Sequence, residues 1–102
     1  MNVVASFAAL ADETRWSVLV HLGRQPASAS ALARELPVSR QAINKHLAVL
    51  EGAGLVESRR VGRERRYEAV GARLSELGRR LDSVARAWDR RLAALKTEAE
   101  RP

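Results

Sequence analysis

The sequence predicts a mainly α-helical chain with one small β-hairpin: a winged helix-turn-helix that dimerises through its terminal helices. Three stretches carry that prediction. Leu36 to Leu50 reads as a helix with its own start signal, preceded by a shorter helix across a tight turn. Leu55 to Val70 reads as two arginine-rich strands around a glycine turn. Leu74 to Leu95 carries a long unbroken apolar seam. Helix, turn, helix and then hairpin, in that order and spacing, is a compound pattern far more specific than any of its parts.

The 102 residues suit a single domain, with the helix-turn-helix over about 28–51, the wing over about 55–70 and a C-terminal dimerisation helix over about 72–96. A chain this small buries a modest share of its surface, so a second copy would add useful burial. Lys plus Arg number 18 against 12 acids, for a net charge of +6. That balance fits a polyanionic partner such as nucleic acid or an anionic membrane. No apolar run approaches the roughly 20 residues that span a bilayer. The N-terminus has no basic n-region and no signal-like pattern, so the expected location is the cytoplasm. The absence of cysteine excludes disulfides, thiolate metal sites and thiol redox switches.

Val3 to Leu10 is predicted as a short helix with almost no polar face, which calls for a cover such as a second subunit. Asp12 is placed to cap a helix from Glu13 to Leu22, with Gly23 ending it. Trp16, Val18, Leu19, Val20 and Leu22 spread around that helix, so it should touch several neighbours. Arg15 falls near the middle of this apolar surface and suits either a semi-buried salt bridge or a phosphate contact. His21 stands alone there, as a partly exposed surface histidine. Gln25 to Ala27 reads as a loop. Ser28 then caps the first helix of the motif, with Ala31, Leu32 and Leu36 turned inward and Arg34 and Glu35 outward.

Pro37 and Val38 make the tight turn, and Ser39 is a good N-cap for the second helix. Ile43, Leu47 and Leu50 form its buried stripe. At about 100° per residue, Gln41, Asn44, Lys45 and Ala48 lie opposite. Any amphipathic surface helix has a polar face, but such faces usually carry Glu and Lys in quantity. Two amides and a cation instead suit the base edges of a major groove, Gln or Asn to adenine and Lys to guanine. Ser39 and Arg40 sit at the helix start, where backbone amides favour a phosphate. His46 lies about 60° from the centre of the stripe, a boundary residue that packs or touches a phosphate.

Gly52 and Gly54 break the chain after this helix. Strands are predicted over Leu55–Val61 and Glu64–Val70, joined by Gly62-Arg63. The hairpin carries Arg59, Arg60, Arg63, Arg65 and Arg66. Charge on an edge hairpin can simply prevent aggregation. Glutamate would do that equally, so the arginine excess points to phosphate or minor-groove contact, Arg63 at the tip above all. In the last helix, predicted from Ala72 to Lys96, Leu74, Leu77, Leu81, Val84, Trp88, Leu92 and Leu95 are spaced three or four apart. That seam runs for roughly 31 Å at 1.5 Å per residue, more than one small winged helix can cover. It is assigned mainly to a dimer interface of Leu77, Leu81, Val84, Trp88 and Leu92, with Val4 and Phe7 of the first helix beside them. A helix lying on an anionic membrane is the lesser reading, since Glu76, Asp82 and Asp89 dilute its basic flanks. Thr97 to Pro102 is expected to fray.

Leu10-Ala-Asp-Glu-Thr-Arg15, Val38-Ser-Arg-Gln-Ala-Ile-Asn-Lys-His-Leu47, Leu50-Glu-Gly-Ala-Gly-Leu-Val56 and Gly62-Arg-Glu-Arg-Arg-Tyr67 together resemble the ArsR-type winged-helix repressors of bacteria. The resemblance spans roughly residues 5 to 95 and is specific in order and spacing. It implies a homodimeric transcriptional regulator that binds double-stranded operator DNA.

The chain departs from that family's metal sensors. These carry cysteines in the first helix of the motif, or Asp, His and Glu ligands along the last helix. Here the first location reads Ser28-Ala-Ser-Ala-Leu-Ala-Arg-Glu35 and the last helix has no histidine. Glu76, Asp82 and Asp89 stand among arginines and suit solvated ion pairs. No metal ligands, no catalytic residues and no cofactor site are therefore assigned, and no nucleophile–base pair or phosphate loop stands out. No small-molecule effector can be named from the residues. The expected function is a repressor that does not respond to metals. The alternatives are a winged-helix protein-interaction module without DNA binding, and a metal-responsive repressor with an atypical site.

Overall fold

The computed structural model describes residues 2–102. Its elements in chain order are α1 (Val3–Leu10), α2 (Glu13–Arg24), β1 (Ala27–Ser28), α3 (Ala29–Glu35), α4 (Arg40–Gly52), β2 (Val56–Val61), β3 (Glu64–Ala69) and α5 (Gly71–Ala99). This is a winged helix-turn-helix, with α3 and α4 as the motif and β2–β3 as the wing.

Side-chain caps set the helix starts. Asn2, Asp12, Ser28 and Ser39 each accept a hydrogen bond from the backbone N–H three residues on, at 2.9–3.1 Å. Each thereby satisfies an N–H that has no partner inside the helix. The end of α4 is a Schellman closure. Leu55 N–H donates to the Leu50 carbonyl and Gly54 N–H to that of Glu51, both at 3.0 Å. Gly54 supplies the positive φ of 75° that this closure requires. Leu50 and Leu55, the two apolar residues that such a closure brings together, are both fully buried.

The core gathers Val18, Leu19 and Leu22 from α2, Leu32 from α3, Ile43, Leu47 and Leu50 from α4, and Leu55 and Val56 at the root of the wing. The predicted stripe of α4 is completely inaccessible to solvent. The wing pairs antiparallel from Val56↔Ala69 to Val61↔Glu64. Its two-residue turn has a positive φ only at Gly62, the first central position, as in a type II′ turn.

Four expectations need correction. Gly23 does not end α2, which runs on to Arg24 with Gln25 N–H bonded to the His21 carbonyl; one exposed glycine is tolerated inside a helix. The predicted loop at residues 25–27 closes into β1, where Ala27 pairs with Tyr67 and Ser28 with Arg66, giving a three-stranded sheet in the order β1-β3-β2. Two residues are too few to show any alternation. The final helix is longer than predicted and includes Thr97, whose hydroxyl donates to the Ala93 carbonyl. The apolar seam, lastly, has two roles. Leu77 is only 4% exposed and belongs to the protomer's own core, with Leu74 packed beside it. Its burial against its own chain leaves it little surface to give to another. From Leu81 onward the seam stands free.

Candidate nucleic-acid interface

The stripe that anchors α4 determines what the helix presents outward. With Ile43, Leu47 and Leu50 buried, Arg40, Gln41, Asn44, Lys45 and Ala48 are all exposed on the far side. Ser39 is exposed at the helix start, its hydroxyl occupied by the Ala42 N–H. The amide-bearing face therefore lies in solvent as one strip.

β-Strand alternation sorts the wing arginines into two groups. Arg60 pairs across the hairpin with Arg65, and Arg59 with Arg66. Successive side chains point to opposite faces, so the two pairs lie on opposite sides of the sheet. Arg60, Arg63 and Arg65 line an open depression of about 420 Å³ together with Arg40 and Asn44 of α4. Four guanidinium groups thus converge on one concavity where Glu64 is the single acid in the wall. Such a concentration of one charge raises the local potential for an anion. Arg59 and Arg66 share the other face with Glu57 and Glu68. Glu64, which also lines the depression, pairs with Arg66 at 2.8 Å.

Two features of this surface go beyond the residues named from sequence. Ser28, Ser30 and Tyr67 also line the depression, brought there by the β1–β3 pairing. Arg65 is held in place by a short relay: its Nη1 donates to Ser58 Oγ at 3.0 Å, and Ser58 Oγ donates to Glu51 Oε2 at 2.9 Å. The relay joins the wing to the end of α4. A serine in a strand and a glutamate in the preceding helix give no sign in sequence of this partnership.

His46 is turned away from the outward face. Its Nδ1 lies 3.4 Å from Arg15 Nη1 and 3.9 Å from Asp12 Oδ1. Arg15 also donates from Nε to the Ala9 carbonyl at the end of α1. Arg15, Asp12 and His46 thus form a half-buried polar joint between the α1–α2 corner and the recognition helix, and Arg15 takes the salt-bridge role at 3.9 Å from Asp12 Oδ2. The Arg15 backbone N–H, and then the charges of Arg15 and His46, hold the Asp12 carboxyl below its ordinary value.

His21 sits apart, beside Arg24 and Arg34. Along α5, Arg80 and then Arg79 hydrogen-bond Glu76 and keep its carboxyl below the usual range, while Asp82 pairs with Arg86 at 2.7 Å. Among the described residues no three His, Asp or Glu side chains gather in a metal-binding group, and no helix is long and apolar enough to cross a membrane.

Comparison with known proteins agrees with this geometry. The family model described as a helix-turn-helix domain matches residues 10–59. The HTH-type transcriptional regulator Rv2034 of Mycobacterium tuberculosis is 41% identical over 87 residues, 85% of this chain and 78% of that protein. An ArsR-like transcriptional regulator from Rhodococcus sp. RHA1 superposes with a TM-score of 0.84 at 57% identity, covering 98% of this chain and 94% of that one. The solution structure of the homodimeric winged helix-turn-helix DNA-binding domain Mb0332 from Mycobacterium bovis, a possible ArsR-family regulator, superposes at a TM-score of 0.69 and 28% identity. That match covers 81% of this chain and 77% of the other. With a buried stripe that turns an amide-bearing helix outward beside a basic wing, and with these relatives, the chain belongs to the ArsR family of DNA-binding winged helix-turn-helix transcriptional regulators.

Proposed function

We propose that the chain acts as a homodimeric repressor on an inverted-repeat operator, without a metal ion as its signal. One observation carries the DNA-reading part: the exposed strip of Gln41, Asn44 and Lys45 stands beside the depression where Arg40, Arg60, Arg63 and Arg65 converge. Amides and Lys45 read base edges. The guanidinium groups take backbone phosphates and fix the helix in the groove. Ser39 and Arg40 meet a phosphate at the start of α4. Arg59 and Arg66 reach DNA only where it wraps past the opposite face of the wing.

The dimer reading is supported by the free apolar seam of α5 and by the homodimeric state of the Mycobacterium bovis relative. Two-fold symmetry would put the two recognition helices in successive major grooves, about 34 Å apart. The metal-independent reading rests on the donor set: no cysteine in the chain and no histidine on α5. Metals of the kind sensed by nitrogen and sulfur sites need those ligands.

Mobility shift and footprinting on DNA upstream of the chain's own gene test the proposal. A protected inverted repeat is expected, with Gln41→Ala or Asn44→Ala losing roughly 1–3 kcal/mol on that site and relaxing preference at one or two positions. Sequence preference that survives replacement of Gln41, Asn44 and Lys45 together would refute the assignment of α4. Absence of any shift would favour the protein-interaction module. A tenfold loss of affinity on stoichiometric zinc or copper would refute the metal-independent reading.

A further inference from the structure

The outer face of the wing carries charges that the hairpin itself does not explain. Across β2 and β3, Glu57 lies opposite Glu68 and Arg59 opposite Arg66. Like charges directly opposite one another destabilise a hairpin. Opposite signs across the strands would keep the edge soluble just as well without that cost. Among the described residues, Arg66 pairs with Glu64, while Glu57, Arg59 and Glu68 enter no ion pair. Glu57 and Arg59 are exposed, and Arg66 and Glu68 partly so. Glu64 engages only Nη2 of Arg66, so the other donors of that guanidinium group are free.

The inner face has a like pair too, but with a partner to account for it. Arg60 lies opposite Arg65, and both line the depression assigned to DNA phosphates. A polyanion is a poor match for the outer face. There the row of two glutamates stands two residues, about 7 Å, from the row of two arginines. The matching surface carries the same two rows in reverse order. A second wing, turned end for end, is such a surface.

Building on the reading of the chain as a DNA-bound homodimer, we propose that the outer wing face joins dimers on neighbouring operators, wing to wing. Two hairpins meet face to face about a two-fold axis that passes between the two rows, perpendicular to the strands. β2 then lies over β2 and β3 over β3, each pair antiparallel. Glu57 faces Arg59 of the second copy, and Glu68 faces Arg66 of the second copy. Symmetry repeats both contacts, so four ion pairs form. The homodimer contact assigned to α5 leaves both wings free for this one. Exposed ion pairs are individually weak, so the dimers stay apart in free solution. On DNA, one bound dimer holds the next at an effective concentration of roughly millimolar, where weak pairs suffice to make binding cooperative.

Footprint titrations on duplexes carrying one or two copies of the protected repeat test the contact. The spacing of the two copies is stepped by single base pairs through one helical turn of about 10 base pairs. Cooperativity is read as the ratio of second-site to first-site affinity, so a change in single-site affinity cancels. For the wild type this ratio should reach roughly tenfold at one spacing and fall to unity where the second copy lies on the opposite side of the duplex. Arg59→Glu with Arg66→Glu sets glutamate against glutamate and should abolish the cooperativity. Glu57→Arg with Glu68→Arg sets arginine against arginine and should abolish it too. All four exchanges in one chain recreate the complementary rows at the wild-type net charge, and should restore it. Circular dichroism melts check that each variant is folded. Failure of the wild type to bind a single copy would overturn the DNA reading itself. Normal single-site binding with independent filling of the two copies at every spacing would overturn the wing contact alone. So would cooperativity that survives either double exchange, or a folded fourfold exchange that remains uncooperative.

Discussion

Arg60 and Arg59 are neighbours in sequence and identical in charge, yet alanine should affect them very differently. Arg60 lines the depression shared with Arg40 and Asn44. Arg59 lies across the sheet, on the face it shares with Glu57 and Glu68. A protein that neutralises phosphates releases counterions, and each contact contributes about 0.9 to the slope of log affinity against log salt. A homodimer carries two wings, so Arg60→Ala removes two contacts and should flatten the slope by about 1.8. Between 50 and 200 mM salt the deficit of the variant should therefore shrink about tenfold. Cognate and random duplexes should be affected alike, because a phosphate contact carries no sequence information. Arg59→Ala should change the slope by less than roughly half a unit. Fluorescence anisotropy on both duplexes over a salt series measures all of this. Equal slopes for the two variants, or a larger effect at Arg59, would refute the partition of the wing into a DNA-facing and an acid-paired side.

Other substitutions probe the scaffold. Leu50→Ala empties a site with no solvent exposure at the close of α4 and should cost about 2–5 kcal/mol in urea unfolding. Gly54→Ala forces a side chain into a φ of 75° and should cost about 1–2 kcal/mol. Gly52→Ala, inside the helix with no described atom within 4 Å of the added carbon, should instead stabilise by about 0.5–1 kcal/mol, so thermal melts of the two variants should shift in opposite directions. Asp12 is held below its ordinary value of 3.8, so the stability from its charge is present above that value and is lost as pH falls through the lower folded value. Asp12→Asn keeps a capping side chain but removes the charge. Melts of wild type and variant should therefore differ at pH 7 and converge at the acid end, and a gap that persisted there would contradict the assignment.

The sequence was most informative where a local rule has one outcome. Ser28 and Ser39 announced their helices because a hydroxyl followed by helix-spaced apolar residues serves as a cap. Ile43, Leu47 and Leu50 announced the buried side of α4 and so its outward side. Gly62-Arg63 announced the hairpin turn. Features that depend on contacts distant in the chain were less legible. β1 exists because Tyr67 and Arg66 pair with Ala27 and Ser28, and two residues hold no period. The Ser58 relay, the Arg15–His46 joint and the division of the wing arginines each require knowing which surfaces face one another. Leu77 illustrates the limit best. It has the same chemistry and spacing as Leu81, and only the placement of α1 and α2 makes one of them core and leaves the other exposed.

Leu55 bears on how such a molecule can be controlled. Its N–H closes α4 through the Leu50 carbonyl, and its own carbonyl accepts from Val70 N–H at 2.9 Å, one residue before α5 begins. Its side chain is fully buried. Recognition helix, wing root and the start of α5 are thus tied at a single residue within a close-packed core, and such cores pass displacement along with little give. A signal that loosened α4 alone would have to break this tie and expose the core with it. In the proposed homodimer, turning one whole subunit against the other would leave it intact and change the separation of the two recognition helices, as a rotating lever changes the distance between its ends. In the homodimeric repressor proposed above, control of this kind would act on the fit between dimer and operator spacing while each reading head stays folded.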